Sequence, residues 1–191
     1  MRVLLLENDD SYSWNVVDCL RRCGAEVAIE PGRARERARA RHRECDAIVI
    51  GPGPLDPIRA GLVEAVHDAI GAGLPLLGIC LGHQAIGLAF GAKLLRSEPA
   101  HGVQSTLQFR GSRFFGAAGS PLAAPTPVMR YHSLALDDLR APLRATAHSE
   151  DGVLMALEHE TLPIAGLQFH PDSFATPLGR EMVAAFLREA R

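Results

Sequence analysis

A chain of 191 residues, 47% hydrophobic and 22% charged, has the composition of a globular domain with a sizeable core. Its formal charge of −2 gives no overall basic footprint, which argues against nucleic acid as a partner. No apolar run approaches the roughly 20 residues needed to span a bilayer, so no membrane partner is expected. The four cysteines, Cys19, Cys23, Cys45 and Cys80, contain no CxxC pair, and the N-terminus MRVLLLENDD turns acidic early, unlike an export signal. Reduced thiols in the cytoplasm are expected, with no metal and no cofactor.

In chain order, RVLLLE, AEVAI, DAIVI and LPLLGI read as strands, with helices predicted over residues 11–23, 33–43, 59–72 and 81–90. Continuously apolar runs, as opposed to alternating ones, suit central parallel strands covered on both faces. This order predicts an α/β fold, an open and mostly parallel sheet with helices on both faces and right-handed crossovers. Ligands in such sheets sit beyond the carboxyl ends of the strands, where GPGP and CLGHQ both fall. The six arginines at every second position from Arg33 to Arg43 scatter charge around a helix and read as a solvated surface.

The second half is punctuated by Gly, Pro and Asp-Gly. Its short runs VQSTLQF, PVMRYHSL, LRATAHS, VLMALEH and IAGLQF read as antiparallel strands added to the sheet, and a final helix is predicted over 177–191. With no linker or repeat, residues 1–191 form one domain.

Gly78, Cys80 and Gly82 make a G-x-C-x-G pattern at a strand-to-helix corner, the thiol counterpart of a nucleophile elbow. At a helix N-terminus the dipole favours thiolate, and backbone N–H groups after the nucleophile can bind an oxyanion. The competing reading is an inert buried thiol, which is preferred for Cys19 and Cys23. A nucleophilic thiol needs an oriented base. His170, directly after the strand IAGLQF, would reach the same sheet edge, with Asp172 two residues on to hold one ring nitrogen. His132 is the weaker candidate, His83 lies too near Cys80 in sequence, and His42, His67, His148 and His159 read as surface residues. Gly51 and Gly53 let the GPGP backbone approach a ligand closely.

GPGP, GICLGHQAIG, RYHSL and QFHPDS, in this order, resemble the signature of class I, triad-type glutamine amidotransferases, which have a flavodoxin-like core. HGVQS, RYHSL and NDDSYSWNVVDCL most resemble the small subunits of anthranilate and aminodeoxychorismate synthases, and the likeness covers essentially the whole chain. The resemblance implies that Cys80 attacks the side-chain amide of L-glutamine, with His170 as base then acid and Asp172 orienting it. It assigns the oxyanion to the N–H groups of Gly53 and Leu81 within and after the Gly51–Pro52–Gly53 loop and the elbow, and the substrate to Gln84 and the main chain of Ser133 and Leu134. It implies a partner, a chorismate-using synthase large subunit, which receives the ammonia, because 191 residues leave no room for a chorismate site. Two positions depart from the pattern. Asp172 stands where the family usually has glutamate, shortening the reach by roughly 1.5 Å. Val103 stands where lysine commonly follows His-Gly, in a loop that faces the partner in relatives. The rival readings are a free-standing γ-glutamyl thiol hydrolase and a catalytically impaired assembly subunit.

Overall fold

A computed structural model describes residues 1–115 and 120–190. The first half runs β1 (Arg2–Glu7), α1 (Ser13–Arg22), β2 (Glu26–Pro31), α2 (Arg35–Ala40), β3 (Ala47–Ile50), α3 (Leu62–Gly71), β4 (Leu76–Ile79) and α4 (Leu81–Ala89). The second half adds β5 (Lys93–Leu107), β6 (Thr126–Asp137), β7 (Leu143–His148), β8 (Leu154–His159), β9 (Ile164–Leu167) and α5 (Gly179–Glu189). The seven-stranded sheet has the order β2-β1-β3-β4-β9-β8-β7. Its strands are parallel from β2 to β9 and antiparallel from β9 to β7. The predicted α/β architecture is therefore present.

Helices cover both faces. On one, Val16 and Leu20 of α1 meet Met182 and Phe186 of α5; on the other, Leu62 and Val66 of α3 meet Leu81 and Ile86 of α4. That is why Leu4, Leu5 and Leu6 are successive and all buried: alternate side chains enter opposite cores.

Three expectations need correction. The segment IAGLQF is not one of the antiparallel additions: β9 inserts parallel beside β4, with Gly78 opposite Gly166. All four of its residues are buried, the signature of a central strand, which the surrounding turn residues obscured. The strands carrying VQSTLQF and PVMRYHSL do not join the sheet. They pair as a separate two-stranded ribbon, in which β5 begins well before Val103 and shifts register between Arg96 and Ala100 and again between His101 and Val103. His159 is not a surface residue; it is 6% exposed, stacked edge-on against Phe90, and its Nδ1 accepts N–H bonds from Thr161 and Leu162. The arginine-rich stretch forms α2 and then a 3₁₀ turn, His42–Glu44. Its exposed guanidiniums are spent on local acids: Arg37 and Arg41 bracket the buried Glu30 at 2.8 and 3.0 Å, and Arg35 meets Asp68 at 2.9 Å. The last predicted helical residue, Arg191, lies outside the described residues.

Glu158 of β8 is fully buried and pins the chain that follows the ribbon's first strand. Its carboxylate accepts from Arg144 at 2.9 Å, from the Arg113 N–H at 3.1 Å and from the Ser112 hydroxyl, so that Phe114 and Phe115 settle into the core beside Phe109 and Phe186. Removing one partner of such a cluster strands the others without compensation. Glu158→Ala is therefore expected to lower stability by about 3 kcal/mol, measured by urea unfolding, with Glu160→Ala as an exposed control that changes little.

Candidate active site

The chain leaves β4 and turns into α4 within one residue, and Cys80 occupies that corner with φ 52° and ψ −97°. A side chain other than glycine rarely adopts positive φ, and such strain persists only where the surroundings over-determine it. They do so here. A Cβ on Gly78 would lie 2.4 Å from the Gly82 carbonyl, and one on Gly82 would lie 2.3 Å from the Ile50 oxygen. The two glycines thus let β3, β4 and α4 meet backbone to backbone, and the Cys80 N–H is tied to the Leu167 carbonyl of β9 at 2.8 Å. The thiol sits at the helix N-terminus, 7% exposed.

The insertion of β9 beside β4 delivers His170 to this corner. Its backbone N–H bonds to the Met129 carbonyl of β6 at 3.0 Å, and the edges and faces of Tyr12 and Tyr131 enclose its ring at 5.5 and 5.2 Å. Burial alone would drive the proton from this imidazole. The contact with Asp172, and then that with the Cys80 sulfur, outweigh burial and raise its pKa from 6.5 to about 10. A protonated imidazole beside sulfur is the ion-pair form of a cysteine nucleophile. The His170 Nδ1 to Asp172 Oδ1 separation is 3.4 Å, and both side chains are buried. Among the described residues, neither Nδ1 nor either carboxylate oxygen has an aligned hydrogen-bond partner. The pair is an ionic contact and not a tight hydrogen bond.

The Gly51–Pro52–Gly53 loop closes on the elbow from β3. A Cβ on Gly53 would lie 2.7 Å from both Leu81 Cδ2 and Asn8 Cβ, so the loop packs directly on the Leu81 side chain. Leu81 opens α4, where N–H groups have no intrahelical acceptor. Asn8, buried after β1, staples the loop by donating from Nδ2 to the carbonyls of Leu6 (3.2 Å) and Gly51 (3.0 Å).

Gln84 projects from α4 and donates both amide hydrogens, to the Leu134 carbonyl at 3.0 Å and to Gln168 Oε1 at 3.2 Å. Ser133 is exposed and Leu134 half-buried on β6, and the Leu134 carbonyl is held by Gln84. His132 is excluded as the base. Burial, and then the Arg130 charge, push its pKa down to about 4; its Nε2 accepts from Arg130 at 3.2 Å and its Nδ1 bonds to the Leu134 carbonyl at 3.0 Å. His83 is excluded too: it is fully buried against Gly166, and burial pushes its pKa down to about 3. The structure thus brings together Cys80, His170, Asp172, Gly53, Leu81, Gln84 and Leu134.

Residues not singled out from the sequence are Asn8, Tyr12, Tyr131 and Gln168. Gln168, at the end of the run IAGLQF, reads in the sequence as an ordinary polar residue. Its Nε2 lies 3.6 Å from the Cys80 sulfur. Among the described residues, no group of three or more His, Cys, Asp or Glu is arranged to hold a metal ion.

An elbow-mounted cysteine, an adjoining imidazolium and a backbone donor loop define a thiol-dependent acyl-transfer site on an α/β sheet edge. The chain belongs to the class-I glutamine amidotransferase family, whose model matches residues 4–190. It is 38% identical over 193 residues to anthranilate synthase component 2 of Azospirillum brasilense, covering 99% of this chain and 96% of that one. It is 37% identical over 188 residues to aminodeoxychorismate synthase component 2 of Escherichia coli K12, covering 97% and 98%. Its fold matches a Thermotoga maritima crystal structure described as a glutamine amidotransferase, with a TM-score of 0.79 at 15% identity, covering 100% of this chain and 97% of that one.

These environments fix distinct charge states. At neutral pH, nitrogen NMR should find His170 carrying both ring protons and His132 and His83 each carrying one. Because folded His170 keeps a proton that the unfolded chain loses, its contribution to stability is complete below pH 6.5 and is lost as pH rises towards about 10. A neutral His170 at pH 7 would contradict the ion-pair geometry.

Proposed function

We propose that this chain is a glutaminase subunit, hydrolysing L-glutamine to glutamate and ammonia and delivering the ammonia to a chorismate-using synthase of the anthranilate or aminodeoxychorismate type. The observation that carries the reading is the elbow-mounted Cys80 meeting a buried His170 that is paired with Asp172, with the Gly53 loop packed on the Leu81 side chain. The thiolate attacks the side-chain amide carbon, and the N–H groups of Gly53 and Leu81 receive the developing oxyanion. His170 gives its proton to the departing nitrogen, releasing ammonia and leaving a glutamyl thioester on Cys80. His170 then takes a proton from water as it attacks the thioester, and glutamate leaves. Asp172 keeps the imidazole in place for both transfers. Gln84 and the Ser133–Leu134 main chain hold the glutamine.

Ammonia released into bulk water would be protonated and lost as a nucleophile, so the reading requires a partner over the site. Support comes from four large apolar side chains left exposed on segments that follow the carboxyl ends of parallel strands: Trp14 after β1, Leu55 and Ile58 after β3 and Phe174 after β9, at 68%, 51%, 60% and 97% exposure. Two relatives are themselves named as second components of chorismate-derived synthases. All four cysteines are free, which suits the reducing cytoplasm. The loose Asp172 contact favours one second reading, a catalytically impaired subunit kept for assembly.

Glutaminase assays with and without synthase subunits separate the two: strong stimulation by a synthase supports the proposal, and inactivity in every pairing supports impairment. Cys80→Ser is expected to reduce glutamine-dependent synthesis by about 10⁴-fold or more while ammonia-dependent synthesis by the partner persists; equal loss of both would remove Cys80 from the role assigned. Asp172→Glu is expected to preserve or raise glutaminase kcat by closing the gap to His170. A large loss would mean that the loop is built around the shorter acid.

A further inference from the structure

One side chain that the steps above do not use touches the nucleophile. Gln168 follows β9, is fully buried, and places Nε2 3.6 Å from the Cys80 sulfur. We propose that Gln168 is a further catalytic residue, donating an amide N–H to the Cys80 sulfur and holding it in its anionic, attacking form. The proposal rests on Cys80 being the nucleophile.

The direction of that hydrogen bond follows from the atoms upstream of it. Arg130 has only donors, so at 3.2 Å from His132 Nε2 it makes that nitrogen an acceptor. The His132 proton must then sit on Nδ1, which donates to the Leu134 carbonyl at 3.0 Å. A carbonyl only accepts, so the Gln84 atom 3.0 Å from Leu134 O is the amide nitrogen. The same nitrogen gives its second hydrogen to Gln168 at 3.2 Å, which makes the facing Gln168 atom the oxygen. Only the Gln168 nitrogen is left to face sulfur. The start of the chain is fixed as well, because the Arg130 guanidinium is anchored by Ser105 and by Asp151, each at 3.1 Å. Flipping Gln168 would set donor against donor at Gln84, and flipping Gln84 would set acceptor against acceptor at the Leu134 carbonyl.

An N–H donor near sulfur favours thiolate over both thiol and thioester, since charge-assisted hydrogen bonds are the stronger ones. It acts at two points. Before attack it maintains the charged sulfur beside His170. When water adds to the thioester and the carbon–sulfur bond breaks, the departing electron pair on sulfur meets the same donor.

Two substitutions together test the donor, each studied in the full chain with its synthase partner. Gln168→Glu keeps the shape and still accepts from Gln84 but replaces the N–H facing sulfur with a carboxylate oxygen and its charge; Gln168→Met removes the donor and the acceptor without adding charge. The readouts are the rate at which iodoacetamide alkylates Cys80 at neutral pH, the thiolate ultraviolet absorbance relative to Cys80→Ser, and kcat and KM for glutamine. Alkylation about tenfold slower, with reduced thiolate absorbance and lower kcat at unchanged KM, is the expected result. Wild-type alkylation and kcat in Gln168→Glu would overturn the proposal, even if Gln168→Met fails to fold. If Cys80→Ser kept its glutaminase activity, the nucleophile assignment would fall and this proposal with it. An inactive Cys80→Ser beside normally alkylated Gln168 variants would overturn this proposal alone.

Discussion

Everything in the site depends on one backbone corner. Residue 80 is held at positive φ because β3, β4 and α4 come together with no room for a side chain at Gly78 or Gly82. A Cβ at either glycine would meet main chain and not a yielding side chain, so the neighbours could accommodate it only by moving strand against helix. The corner is rigid because the strands that form it are buried on both faces, with α3 and α4 packed on one side and α1 and α5 on the other. The hydrophobic cores thus supply the stability that keeps a strained cysteine at a helix N-terminus.

The two halves of the chain make different contributions to that corner. The first half builds the elbow and, through Asn8 and Gly53, brings a second backbone segment against it. The second half carries the base. Because β9 lies directly beside β4, the residue after it emerges next to the cysteine, and a bridge from His170 to Met129 ties this point to β6. That long strand then supplies Tyr131 to the imidazole, His132 to the hydrogen-bond chain and Leu134 to the substrate side. The ribbon of β5 and β6 is thus less an extension of the sheet than a wall of the site. Asp172 is the loosest part of the arrangement: its carboxylate is buried and attracted to His170 but not aligned with it.

The fold class and the corner that carries Cys80 were readable because their signals are local. LPLLGI followed by CLGHQ needs no knowledge of distant residues to read as a strand, a tight turn and a helix, and QFHPDS carries its histidine and acid within three positions. What escaped depended on partners far apart in the chain. The parallel placement of β9 follows from Leu76 to Ile79 lying against Ile164 to Leu167, a pairing with no trace in either segment alone. The burial of His159 depends on Phe90. Gln168 looked like an ordinary polar residue in an apolar run until Gln84, 84 positions earlier, defined which end of its amide faces sulfur.

The most direct test of the account is the chemical fate of a glutamine analogue at the site. A diazoketone analogue of glutamine, incubated with the chain and its synthase and followed by intact-mass and peptide mass spectrometry, reports which atom attacks. The account predicts one adduct, on Cys80, blocked by excess glutamine and absent from Cys19, Cys23 and Cys45, with loss of glutamine hydrolysis in step with labelling. Hydrolysis that continues with Cys80 fully labelled, or inactivation that follows labelling of another cysteine, would contradict it.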